Sequence, residues 1–204
     1  MIGIIDYGMG NLHSVKNALD ALGFANEFVS DPKQLDKYEK LVLPGVGAFG
    51  DCMENLHRSG LYEAVDRQVR QKKKPLLGIC LGMQALFETS EEKGFHQGFG
   101  FLQGDIRKME AEGYRIPHIG WNELVKNGNH PLLDQLPDHA YMYYVHSYYA
   151  QNYREEDLLG YSIYGPLKIP GIVCHDNVLG CQFHPEKCGE DGLKILRYFG
   201  KEFV

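Results

Sequence analysis

The stretch Pro75-Leu76-Leu77-Gly78-Ile79-Cys80-Leu81-Gly82-Met83-Gln84 decides the fold. Its apolar half, Leu76, Leu77 and Ile79, reads as a buried strand, and its second half reads as the start of a helix. Cys80 stands at the turn between them, with Gly78 and Gly82 two residues to either side. A turn tight enough to push one side chain out of a sheet leaves no room for a Cβ at those two flanking positions. This is the G-x-nucleophile-x-G spacing of a nucleophile elbow, carried by sulfur instead of a serine hydroxyl. A thiolate at such a helix start is favoured by the helix dipole. A buried, inert cysteine fits the same ten residues, so the decision rests on what the rest of the chain supplies.

The 204 residues are enough to bury a full core as one α/β domain spanning 1–204. A net charge of −6 leaves no electrostatic footprint for nucleic acid. The one basic run, Lys72-Lys73-Lys74, precedes Pro75 and reads as the solvated end of a helix. Neither a signal peptide nor a long apolar run is present, so a soluble, cytoplasmic protein without a membrane partner is expected. Five cysteines, at 52, 80, 174, 181 and 188, are an odd number in a chain too long to need disulfide staples, which points to reduced thiols.

Outward from the elbow, the chain reads as an open, mostly parallel sheet with flanking helices and a smaller antiparallel β portion. Ile2 to Asp6 is an apolar strand, Asn11 caps a helix carrying Leu12, Val15, Leu19 and Leu22, and Gly23 stops it. Strands are expected at Phe24 to Val29 and Leu41 to Leu43. The glycine-rich turn Pro44-Gly45-Val46-Gly47-Ala48-Phe49-Gly50 follows the latter. It lacks the lysine of a phosphate loop, and its backbone N–H groups can equally receive an oxyanion. One helix, marked by Leu61, Ala64, Val65 and Gln68, separates this turn from the elbow, which puts both at the same sheet edge if their strands are neighbours. A helix is expected from Leu81 to about Thr89, then short antiparallel runs at Ile116 to Glu123, Tyr141 to Tyr149 and Gly160 to Tyr164. An Asp176-Asn177 hairpin joins Ile172 to His175 with Val178 to Phe183, and a helix capped by Asp191 closes the chain.

A thiolate nucleophile needs a base, and the base needs an orienting group. In Gln182-Phe183-His184-Pro185-Glu186, His184 and Glu186 are two apart and share a face in extended chain. Cys181, His184 and Cys188 also suggest a zinc site, but strand alternation puts Cys181 and His184 on opposite faces, and no metal or other cofactor is expected. His146, Ser147 and Tyr148 end an apolar run, where a strand hands over to a site. Trp121 suits a core or an interface equally.

The combination of the Gly-Val-Gly turn, G-I-C-L-G-M-Q and Q-F-H-P-E, in that order, resembles the class I glutamine amidotransferases, whose fold is flavodoxin-like. With D-Y-G-M-G-N at 6–11, I-G-W-N at 119–122, V-H-S-Y at 145–148 and H-P-E-K at 184–187, the chain is similar to the glutaminase subunits of imidazole glycerol phosphate synthase. The resemblance implies that Cys80 attacks the carboxamide of glutamine, with His184 as acid and base and Glu186 orienting it. It implies an oxyanion hole from the backbone N–H groups of Val46 and Leu81, with Gly45 letting the peptide turn. Gly47, Gln84, Glu92, Ser147 and Tyr148 would hold the substrate. It further implies a partner, a (βα)8-barrel cyclase subunit in a 1:1 heterodimer that receives the ammonia, with Asn11, Trp121, Asn122 and Lys187 at the interface or hinge. Cys188 stands where serine is usual in the family, and is read as a buried filler. A paralogue feeding another barrel, a thiol peptidase or isomerase, and a non-catalytic binding subunit are the competing readings.

Overall fold

The computed structural model describes residues 1–204. Four strands and four helices make the first half: β1 (Ile2–Ile5), α1 (Leu12–Ala21), β2 (Asn26–Val29), β3 (Lys40–Gly45), α2 (Phe49–Arg58), α3 (Leu61–Arg70), β4 (Leu76–Cys80) and α4 (Leu81–Gln84). The rest comprises β5 (Phe87–Ser90), β6 (His96–Gln97), β7 (Leu102–Lys108), β8 (His118–Lys126), α5 (Pro131–Asp134), β9 (Ala140–His146), β10 (Tyr148–Gln151), β11 (Leu158–Tyr164), β12 (Leu167–His175), β13 (Val178–Cys181) and α6 (Gly189–Lys201). Nine strands form one sheet in the order β2-β1-β3-β4-β13-β12-β11-β8-β9, and β10-β7-β5-β6 form a second. The strands from β2 to β13 run parallel; β12, β11, β8 and β9 continue the same sheet antiparallel.

The parallel strands are apolar on both faces because helices cover both. Alternation sorts their side chains: Val42, Leu77 and Ile79 join the core under α1 and α6, while Leu41, Leu43 and Leu76 join the core under α2 and α3. No helix is long and apolar enough to cross a membrane.

Several elements differ from the expectation. The crossover from the glycine turn to the elbow holds two helices, not one, because α2 starts inside the glycine-rich stretch. Its first N–H, that of Phe49, is accepted 2.8 Å away by Glu92 Oε2, a cap supplied from 43 residues downstream. The helix after Cys80 lasts one turn instead of running to Thr89, since Phe87–Ser90 is drawn into the second sheet beside β7. Asn11 sits at the start of α1 without a side-chain capping bond. Asp191 lies inside the first turn of α6, where it pairs with Lys194 at 2.8 Å, and Cys188 takes the cap position. The lysine run is not a free helix end: Lys72 pairs with Asp36, and the buried Lys74 donates to the Leu35 carbonyl at 2.5 Å.

The elbow is held by close backbone approach. A Cβ on Gly82 would overlap the Leu43 carbonyl oxygen of the neighbouring strand, and one on Gly78 would stand 2.7 Å from the Gly82 carbonyl oxygen. Gly82→Ala is therefore expected to destabilise the protein by about 3 kcal/mol, the upper part of the overpacking range, because backbone and not a flexible side chain must move. A urea unfolding midpoint indistinguishable from wild type would contradict this packing.

Candidate active site

Cys80 ends β4 with φ 55° and ψ −110°, a positive-φ conformation rare for a residue with a side chain. Strain of this kind persists where the surroundings over-determine it, as the glycine packing does here. In the register of β3 with β4, Gly45 lies opposite Cys80, and β13 on the other side places Cys181 opposite Ile79. Three chain segments thus leave the sheet at one edge: the turn after β3, the elbow after β4 and Gln182 to Glu186 after β13. This is the carboxyl edge where open α/β sheets bind ligands.

A cavity of about 370 Å³ opens there. Val46, Gly47, Cys80, Leu81, Gln84, Glu92, Ser147, Tyr148 and His184 all line it, so the expected nucleophile, base, oxyanion-turn and substrate residues share one space. Gly45 and Glu186 lie behind its wall, and Asn11, Trp121, Asn122 and Lys187 lie outside it. Pro117, Val145 and His146 also line it; Val145 and His146 lie in the V-H-S-Y motif without having been assigned a role, and Pro117 carries no signal in the sequence. A roomier groove of about 560 Å³ borders it at Glu92. That groove gathers mostly exposed side chains such as Asp51, Glu54 and His57, and no nucleophile converges with a backbone turn there.

His184 and Glu186 meet as expected but not in extended chain. Pro185–Lys187 is a 3-10 turn, and within it His184 Nδ1 bonds Glu186 Oε1 at 2.8 Å with both side chains almost fully buried. The other ring nitrogen, Nε2, and Glu186 Oε2 are buried without a partner. Burial works against the charged imidazole, but the interactions with Cys80 and Glu186 outweigh it and raise its pKa to about 9. That shift favours the imidazolium form at neutral pH.

This has a consequence for stability. Below the ordinary histidine value near 6.5 the ring is protonated in both folded and unfolded chains, and the ion pair's contribution is fully present; it is lost as pH rises through about 9. Between those values the unfolded chain has shed a proton that the folded one keeps. The stability of wild type relative to His184→Gln is expected to fall across that window, read from urea midpoints at pH 6 and pH 9. A constant difference would contradict the raised value.

Gln182, fully buried, donates from Nε2 to Cys80 Sγ at 4.0 Å, and its Oε1 accepts Gln84 Nε2 at 3.1 Å. Gln84 Nε2 also donates to the Tyr148 carbonyl at 3.0 Å, so its amide nitrogen is committed and only Oε1 is left for a ligand. Gln182 was not foreseen as a site residue, although it lies in the Q-F-H-P-E motif. The glycine turn is pinned at both ends. Tyr7 OH donates to the Pro44 carbonyl at 2.9 Å, and Glu92 holds Phe49. Gly47 between them has φ 106°, and a Cβ on Gly45 would stand 2.7 Å from the Tyr7 hydroxyl. Cys188 is more than filler: its S–H donates to the His184 carbonyl at 3.0 Å, and its sulfur accepts the Tyr143 N–H at 3.2 Å.

Chemically, the site offers a strained thiol, a charged imidazole held by a buried carboxylate, and a glycine turn opposite the nucleophile. The family model described as "Glutamine amidotransferase class-I" matches residues 3–202. Imidazole glycerol phosphate synthase subunit HisH of Sulfurimonas denitrificans is 48% identical over 206 residues, covering 98% of each chain. The subunit of the same name from Bacillus cereus is 50% identical over 199 residues, covering 98% of this chain and 93% of its own. The solved structure of PurLQS from Thermotoga maritima shares the fold, with a TM-score of 0.76 at 22% identity across 97% of this chain and 96% of that one. At this identity and coverage, the chain belongs to the class-I glutamine amidotransferase family, in its branch of imidazole glycerol phosphate synthase HisH subunits.

Proposed function

We propose that the chain, acting as one unit over 1–204, hydrolyses glutamine to glutamate and ammonia and hands the ammonia to a cyclase subunit. The observation that carries this reading is the convergence of Cys80, His184 and the Val46–Gly47 turn on one cavity. The Cys80 thiolate attacks the side-chain carbonyl carbon of glutamine, and the oxygen's developing charge is received by the backbone N–H groups of Val46 and Leu81. His184, already protonated, gives its proton to the departing amide nitrogen, and ammonia leaves a γ-glutamyl thioester on Cys80. The neutral ring then takes a proton from water, which attacks the thioester and releases glutamate. Glu186 holds the ring by Nδ1 throughout. At the substrate's amino-acid end, Gln84 Oε1 and the free oxygen of Glu92 suit the ammonium, with Ser147 and Tyr148 on the facing wall.

The partner is a (βα)8-barrel cyclase, paired one to one, that uses the ammonia to form imidazole glycerol phosphate and an aminoimidazole carboxamide ribotide in histidine biosynthesis. Enclosed transfer has a chemical motive, since ammonia released to water takes up a proton and is no longer a nucleophile. An apolar surface suited to docking borders the site on β8 and β9. Ile119, Trp121, Tyr141 and Val145 are exposed there, with Ile119 opposite Val145 and Trp121 opposite Tyr143 across the strand pair. Tyr143 in turn accepts the His184 N–H at 3.1 Å, so this face is one residue away from the base. Asn122 on the same strand, the exposed Lys187 and Asn11 complete the proposed interface and hinge. The experiment is to mix the protein with the cyclase subunit and assay product formation with glutamine as the only nitrogen source. Formation of imidazole glycerol phosphate supports the reading; glutamine hydrolysis without it points to a different barrel.

A further inference from the structure

Two buried histidines have no part in that mechanism. His118 on β8 and His146 on β9 are register partners, 2% and 6% exposed. Their rings are joined by His118 Nδ1 to His146 Nε2 at 3.1 Å. At one end of the pair, His146 Nδ1 lies 2.8 Å from the Tyr148 carbonyl oxygen; at the other, Asn122 Nδ2 lies 3.4 Å from His118 Nε2.

Only one arrangement of protons on two neutral rings satisfies all three contacts. The Tyr148 carbonyl can only accept, so His146 carries its proton on Nδ1 and presents Nε2 as an acceptor. His118 must then donate from Nδ1, which leaves its Nε2 to accept from the Asn122 amide. The hydrogen bonds run one way, from Asn122 through His118 and His146 to Tyr148. Burial keeps both rings neutral, lowering His118 to about 4. In His146 burial outweighs the bond to Tyr148, and with two further imidazoles nearby, His118 and His184, disfavouring a charge it lowers the pKa to about 3. The ring orientation is fixed as well, since His118 stacks on Tyr144 at 4.8 Å and packs against Tyr164 at 4.1 Å.

The two ends of this chain differ in what they touch. Asn122, anchored by a 2.9 Å bond to the Ile163 carbonyl, is next to the exposed Trp121. The Tyr148 carbonyl is the same atom that accepts Gln84, which leads through Gln182 to Cys80. Tyr148 also begins β10, where the chain crosses from the large sheet to the small one and forms the cavity wall.

We propose that His118 and His146 are positioning residues for glutamine binding: a relay of fixed tautomers that holds the Ser147–Tyr148 wall against Gln84 and ties it to the Asn122 end of the exposed β8–β9 face. The proposal rests on the glutaminase reading above.

Two substitutions separate positioning from bulk. His118→Asn keeps an amide N–H near the place of Nδ1, whereas His118→Leu keeps volume and removes the donor. In the assembled complex His118→Leu is expected to raise KM for glutamine about tenfold, the scale of one buried acceptor left unsatisfied, with kcat changed less than about threefold. Ammonia-dependent synthesis stays at the wild-type rate, and His118→Asn recovers most of the glutamine KM. A His118→Leu complex with wild-type KM, or one in which ammonia-dependent synthesis falls equally, overturns the proposal. Imidazole ¹⁵N shifts of the wild-type protein test the relay without any variant. Both rings are expected as the Nδ1–H tautomer, and an Nε2–H tautomer on either overturns it. A wild-type complex that turns over no glutamine overturns the glutaminase reading itself, and is told apart because the tautomers are read without substrate.

Discussion

Cys80→Ala is expected to abolish glutamine-dependent synthesis by the complex while ammonia-dependent synthesis continues at the wild-type rate. The thioester route runs through sulfur, and removing a covalent nucleophile in other hydrolases costs on the order of 10⁶-fold in turnover. The fold should tolerate the change. Cys80 is 7% exposed, alanine removes one atom from the cavity side, and the close backbone packing at Gly78 and Gly82 that surrounds the turn does not involve the sulfur. Free ammonia bypasses the site because the proposed partner makes the carbon–nitrogen bonds. Both activities falling together in an intact complex would sink the glutaminase assignment.

His184→Ala is expected to lower glutamine turnover by roughly 10²–10⁴-fold, the usual contribution of a general acid–base group, with KM for glutamine little changed. The loss affects two steps, protonation of the leaving nitrogen and activation of water. The substitution also leaves the Glu186 carboxylate buried without its cation, which is strongly destabilising when uncompensated. His184→Gln is the companion variant: it fills the space, offers Glu186 an N–H, and still cannot carry a proton between steps. Steady-state rates with both variants check this. Wild-type turnover in either would show that another group supplies the proton.

What the sequence made legible follows from how local each constraint is. Gly78 and Gly82 announce the elbow because the clash they avoid is within a few residues, and His184 with Glu186 announce the base because they are two residues apart. The convergence of Gly45 with Cys80 was a topological inference, sound because parallel neighbours in an open sheet present their loops at one edge. The start of α2 was hidden, since its cap comes from Glu92, far along the chain. The short α4 was hidden because pairing of Phe87–Ser90 with β7 overrides helical propensity. His146 is marked by its place at the end of an apolar run but His118 by nothing; the register of β8 with β9 makes them a pair. Gln182 stood in plain view within a motif, but its aim at the sulfur depends on the turn after β13.

The decisive chemical step is transfer of the γ-glutamyl group to Cys80 during turnover. Its most direct test is to quench the complex in acid during hydrolysis of isotope-labelled glutamine and map the label by peptide mass spectrometry. One labelled glutamyl group is expected on the peptide containing Cys80, absent from Cys80→Ala. Active turnover with no label on that peptide, or with the label on another residue, would contradict it.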